Sequence, residues 1–195
     1  MKKSASQLDH GILAPAFILG DVVEIATPAQ TQRRLIVAES REYSCGPVSS
    51  MVDYVLVDDP GPQVRLRFLQ SENAKARPLI LTLYDSLPYS EGLHAVVRDA
   101  TGKFVIDDDS EPENHVHDEF WRVNDMDGSH VSVVTIRFGD GRHKEATVEF
   151  WDYSRLTDVE GVETEEFIFV EMNPVDRAFE IWRGIEKACQ KTAAG

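Results

Sequence analysis

Between residues 145 and 186 the sequence writes one pattern three times. On alternate positions two apolar side chains are followed by a charge: Val148-Phe150-Asp152, Phe167-Phe169-Glu171 and Phe179-Ile181-Arg183. A period of two is the signature of a half-buried β-strand, and three such runs with turns between them read as an antiparallel meander. In that meander the first and third strands run the same way, so Asp152 and Arg183 reach one rim, with Glu165 beginning the middle strand there. A structural charge cluster of Asp152, Glu165 and Arg183 is therefore expected if the loop around Asn173-Pro174 has an odd number of residues. An even loop puts Trp182 on that face instead.

The same reading extends through the chain. Residues 21–27, 33–40, 51–58, 63–70, 78–84, 103–107 and 117–123 are strand-like, rich in Val, Ile, Tyr and Phe and bounded by Gly, Pro and Asp. In 63–70 the alternation is clean, with Val64, Leu66 and Phe68 on one face and Arg65 and Arg67 on the other, which predicts a wet outer face. Asp85-Ser86-Leu87-Pro88 reads as a turn. Residues 89–99 carry the helical pattern, with Ser90 as N-cap, Leu93, Val96 and Val97 on one face and Gly102 past the end. Residues 130–138 and 143–153 flank Gly139-Asp140-Gly141-Arg142. A two-residue Asp140-Gly141 turn would pair positions summing to 281, gathering Val131, Val133, Ala146, Val148 and Phe150 on one face.

The expected fold class is mainly β (α+β), with antiparallel sheets or two packed β-rich units and one helix near 89–99. The expected organisation is a disordered start (1–12), an N-terminal β-rich unit (13–84), a helix and acidic crossover (85–115), a C-terminal meander unit (116–186) and a tail (187–195), helical or disordered.

Composition narrows the function classes. A net charge of −14, with no basic cluster larger than Lys2-Lys3 or Arg33-Arg34, argues against nucleic acid. Cys45 and Cys189 form no C-x-x-C and read as free thiols of a reducing cytoplasm. The apolar patch 11–20 is interrupted by Pro15 and is far too short to span a bilayer, so a cytoplasmic protein without membrane insertion is expected.

Candidate chemistry is sparse. Asp107, Asp108 and Asp109, with His115 and His117, form the best metal candidate, because carboxylates suit hard cations and two His at i, i+2 share a strand face. The spacing fixes no third and fourth ligand, and a solvated acidic loop with nearby exposed His is the commoner reading of the same residues. Asp125-Met126-Asp127-Gly128 is not a calcium loop, since Val123 and Val134 occupy ligand positions. No nucleophile elbow, phosphate loop or dinucleotide fingerprint is present, and no cofactor is expected. Trp151 and Tyr153 lie opposite the apolar face of the meander. Core burial under a second layer is the default there; exposed, they would mark a partner surface together with Arg155 and Trp182.

Gly20-Asp21-Val22-Val23, Phe120-Trp121-Arg122-Val123, Phe150-Trp151-Asp152-Tyr153-Ser154-Arg155 and Phe179-Glu180-Ile181-Trp182-Arg183-Gly184-Ile185-Glu186 carry a resemblance. Across roughly residues 12–186 the chain resembles uncharacterised bacterial proteins, near the domains of unknown function catalogued as 4178 and 2491. The resemblance implies a bacterial cytosolic β-rich protein without established activity, encoded beside small membrane proteins and envelope-stress factors. The expected function is a non-enzymatic protein-interaction or accessory module, with a protein partner and a membrane-associated or envelope-stress complex as its setting. The alternative is a metal-dependent enzyme or small-ligand binder using residues 107–117.

Overall fold

The structure, a computed structural model, describes residues 17–26, 32–44, 50–58, 63–70, 79–108, 116–123, 130–159, 161–173, 177–186 and 190–191. These form β1 (Val22–Ala26), β2 (Gln32–Ser44), β3 (Ser50–Val57), β4 (Val64–Gln70), β5 (Leu79–Pro88), α1 (Glu91–Val97), β6 (Lys103–Asp108), β7 (Val116–Arg122), β8 (His130–Phe138), β9 (His143–Val159), β10 (Val162–Asn173), β11 (Ala178–Glu186) and β12 (Gln190–Lys191). The protein is mainly β; the described residues include one short helix, and every strand pairing among them is antiparallel.

The pairings close into a ring. β2–β5 form one meander and β8–β11 another; β5 pairs with β11 and β2 with β8, so eight strands return to their start. Closure removes the edges that an open sheet would expose. Strands of the N-terminal and C-terminal β-rich stretches are thus hydrogen-bonded to each other along two seams.

Two long strands leave the ring at their ends. The first half of β2 pairs with β1, and the later half of β9 with β7. Bulges reset the faces. Between Val37 and Glu39 the β2 register slips, so Leu35 and Val37 face outward while Glu39, Arg41 and Tyr43 turn into the ring. A second irregularity at Ile181/Trp182 lets β5 run on through Ser86 to Pro88, where a turn was expected. Nearby, Gly184 lies against β5 so closely that a Cβ would sit 1.8 Å from the Ile80 carbonyl oxygen. No other residue type fits there without moving the seam.

Apolar layers cover the ring on two sides. Val97 of α1 and Phe104, Ile106 and Phe120 of the β6–β7 hairpin pack on Trp151, Tyr153, Ile168, Val170, Phe179 and Ile181. Phe17, Val23, Ile25, Leu35 and Val37 pack on Tyr54, Leu56, Val64, Leu66 and Phe68. The helix starts where expected, with the Leu93 amide donating to Ser90 Oγ at 3.1 Å. Leu93 and Val97 pack inward while Val96 is exposed.

Two registers differ from expectation. The β8–β9 hairpin pairs positions summing to 280, as in Val134↔Ala146, so Val134, Ile136, Ala146, Val148 and Phe150 share the inner side and Val131 and Val133 are exposed. The loop is the three residues 139–141, with Gly141 at φ +84° and its amide donating to the Phe138 carbonyl. A left-handed glycine adds one residue to the turn and shifts every pair by one. In the tail, Gln190–Lys191 pair with β1 as a strand, where a helix or disorder was expected. The disordered start expected over 1–12 lies outside the described residues.

Candidate functional site

Inside the ring lies a sealed network of charge. Asp53 on β3, Arg65 and Arg67 on β4 and Glu171 on β10 are all buried. Their strands impose this. Asp53 opposes Arg67 in the β3–β4 register, and both strands bury their other face under the outer layer, so neither face of β4 reaches water. The wet face expected for Arg65 and Arg67 is instead the ring's interior, because closure places a second sheet wall over it.

The network is well bonded. Arg67 donates to both Asp53 oxygens, Nε to Oδ1 at 2.8 Å and Nη2 to Oδ2 at 2.7 Å. Arg67 Nη2 and Arg65 Nη1 each donate to Glu171 Oε1 at 2.7 Å, and the Tyr43 hydroxyl donates to the same oxygen at 3.0 Å. Arg65 lies over the Trp182 ring at 3.8 Å and Arg67 over Phe169 at 4.3 Å. A buried ion pair survives only with such additional bonds, since desolvation otherwise exceeds the Coulombic gain. Burial pushes Glu171 upward, but Arg65, Arg67 and Arg41 outweigh it and hold the carboxyl far below its usual range. Burial also penalises the Arg67 guanidinium, yet Asp53 and Glu171 hold its pKa well above normal. Burial, then the Glu171 charge, pushes the Tyr43 phenol upward, so it stays protonated.

Above this network the ring opens into a cleft of about 200 Å³. Val134, Ile136, Phe138, Ala146 and Val148 of β8 and β9, with Ala178 of β11, supply apolar lining; Glu39, Arg41, Tyr43, Lys144, Glu171, Asn173 and Glu180 supply the polar part. Arg41 donates to Glu39 and lies 3.7 Å from Glu171 and 3.6 Å from Glu180. Glu180 Oε2 accepts from Arg65 Nη2 at 3.1 Å and from Trp182 Nε1 at 3.2 Å.

The residues singled out from the sequence fall elsewhere. The loop between β10 and β11 has the even length, since Phe169 pairs with Trp182 and Asn173 with Ala178. Arg183 therefore faces away from Asp152 and Glu165, and the expected triad is not formed. Its Nε donates to Glu166 Oε1 and its Nη2 to Asp118 Oδ2, each at 2.7 Å, while Arg155 donates to the same two carboxylates. This outer cluster sits over Phe120.

Trp151, Tyr153 and Trp182 are buried and Arg155 is held in the outer cluster, so these four do not make a partner surface. The second layer of α1, β6 and β7 covers Trp151 and Tyr153, and ring closure covers Trp182. The exposed tryptophan is Trp121, at 54%.

Of the metal candidates, Asp109 and His115 lie outside the described residues, and nothing is described of the Asp108 side chain. Asp107 and His117 are cross-strand neighbours, with His117 Nδ1 3.4 Å from Asp107 and Nε2 3.2 Å from Glu119. Bonds to Glu119 and then Asp107 raise the imidazole pKa, favouring the cation over a metal-binding neutral ring. Among the described residues no group of three or more His, Cys, Asp or Glu is arranged to hold a metal ion.

Sequence reasoning did not single out Asp53, Arg65, Arg67 or Glu180 as site residues. The signal was Asp53 itself, a carboxylate in the middle of Met51-Val52-Asp53-Tyr54-Val55-Leu56. No helix among the described residues is long and apolar enough to cross a membrane. Compared with protein-family models, with curated proteins and with solved structures, the chain finds no match in any of the three.

Proposed function

We propose that the protein is a non-enzymatic binding module whose site is the cleft at the open end of the ring. The observation that carries this reading is the lining: an apolar wall on β8–β9 faces a charged wall whose deep members, Arg65, Arg67 and Glu171, are bonded to one another. Proton-transfer chemistry needs a group poised near the working pH. Glu171 and Tyr43 are driven the other way, one kept ionised and the other kept protonated. An enclosed, partly apolar cleft with a few fixed polar groups is the usual form of a small-molecule site.

The test fills the cleft. Wild type should bind an uncharged environment-sensitive dye, and Ala178→Trp should abolish the fluorescence gain while the far-UV spectrum is preserved. Equal binding by both proteins would place the dye elsewhere and remove the support for this site.

One exposed residue favours a protein-interaction role as a second reading. Trp121 lies on the outer face of the β6–β7 hairpin with Lys103 against its ring, in register with Ser154 of β9. The accessory role at a membrane-associated or envelope-stress complex rests on the family resemblance, and Trp121 is where such a partner would dock. Trp121→Ala should lower recovery of a specific partner from a bacterial lysate, and unchanged recovery removes that surface.

A further inference from the structure

We infer that the cleft takes an organic cation, an amine carried on an apolar body. The inference rests on the cleft being a binding site and adds the chemical class of its ligand. Four carboxylates, Glu39, Asp53, Glu171 and Glu180, share three guanidiniums, Arg41, Arg65 and Arg67. At the deep end the charges are paired, with Arg67 bidentate on Asp53 and Arg65 and Arg67 converging on Glu171, although Arg65 Nε and Arg67 Nη1 have no hydrogen-bond partner among the described residues. The shortfall of one positive charge therefore falls at the mouth, where Arg41 is divided among Glu39, Glu171 and Glu180.

Glu180 is the place to supply it. Its side chain is 37% exposed and lines the cleft, and Arg65, Arg41 and Trp182 all approach the same oxygen, Oε2. Oε1 has no partner among the described residues. An ammonium group there would complete the charge balance, while its apolar body lies against Val134, Ile136, Phe138 and Val148. A bare metal ion would gain nothing from that wall. The net charge of −14 also concentrates cations at the surface and disfavours anions. Lys144, exposed at the rim of the same cleft, is the internal competitor for this position.

Three ligands with one aromatic body and different heads provide the test: phenethylamine, phenylacetate and phenethyl alcohol, titrated by calorimetry into wild type, Glu180→Gln and Lys144→Gln. The amine should bind best, Glu180→Gln should weaken it about tenfold, and Lys144→Gln should tighten it a few-fold. The near-UV spectrum, dominated by buried tryptophans, reports whether Glu180→Gln remains folded. If it does not, the Lys144→Gln arm decides, and an unchanged amine affinity there overturns the inference. Binding of the acid or the alcohol as tightly as the amine also overturns it, while leaving the cleft as a site. Absence of binding by all three overturns the cleft reading as well.

Discussion

Two clusters in this protein have the same ingredients and different surroundings. Inside the ring, Asp53 and Glu171 face Arg65 and Arg67; outside it, Asp118 and Glu166 face Arg155 and Arg183. Each has two carboxylates, two guanidiniums and an aromatic ring beneath its arginines. The inner side chains are sealed from water, whereas the outer four retain partial access to it. The difference teaches that charge pairing is a matter of medium. The outer cluster joins a covering hairpin to the ring at small cost, because water shares the work of solvation. The inner one has only its own members to replace lost hydration, so each member depends on all the others.

Removing one member from each cluster should have very different costs. Glu171→Ala leaves Arg65 and Arg67 buried without the carboxylate they share, and should cost about 3–5 kcal/mol in urea denaturation. If it costs no more than an outer-cluster substitution, the inner network is not sealed.

Acid separates the clusters next. The native pKa of Glu171 lies below its unfolded value near 4.5, so the stability it contributes is complete above that value and is lost as pH falls through the native pKa. Wild type should lose up to about 1.4 kcal/mol per pH unit from this one group once below the unfolded pKa. Glu171→Gln should show a shallower acid slope when denaturation is followed across that range. The outer Arg183 adds no titration of its own to the acid slope: burial works against its charge, but Glu166 and Asp118 raise its pKa, so the guanidinium stays protonated throughout the acid and neutral range.

The smallest effect belongs to the outer cluster. Glu166→Gln should cost about 1 kcal/mol or less, with the loss reduced further in high salt, because both arginines keep Asp118 and contact with solvent. A salt-insensitive loss of several kcal/mol would mean that the two clusters do not differ in kind.

How much of this was legible in the chain depends on distance in sequence. Strand identities and the capped helix rest on local pattern, and Val64-Leu66-Phe68 or Ser90 carries that pattern within a few residues. The interior was not legible from β4 alone. Arg65 and Arg67 alternate with apolar residues as a solvent-facing strand would, and what buries them is a wall that includes Glu171 of β10, more than a hundred positions away. The partner-surface reading followed residue types without knowing which layer would cover Trp151, Tyr153 and Trp182. Asp152, Glu165 and Arg183 were separated by the parity of one loop, as Val131 and Val133 were by one left-handed glycine. A period of two turns every single-residue uncertainty into a change of face. Arg183 meets Glu166 on the opposite face instead, with partners from β7 and β9, in a different cluster from the one expected.

Two meanders close one ring around a shared charge network. A double-mutant cycle between Arg67 of the first meander and Glu171 of the second tests it most directly, using Arg67→Met and Glu171→Gln in urea denaturation. The expected coupling energy is about 2–3 kcal/mol, the upper range for residues in one buried network. Coupling below about 0.5 kcal/mol, the level expected of independent sites, would contradict it.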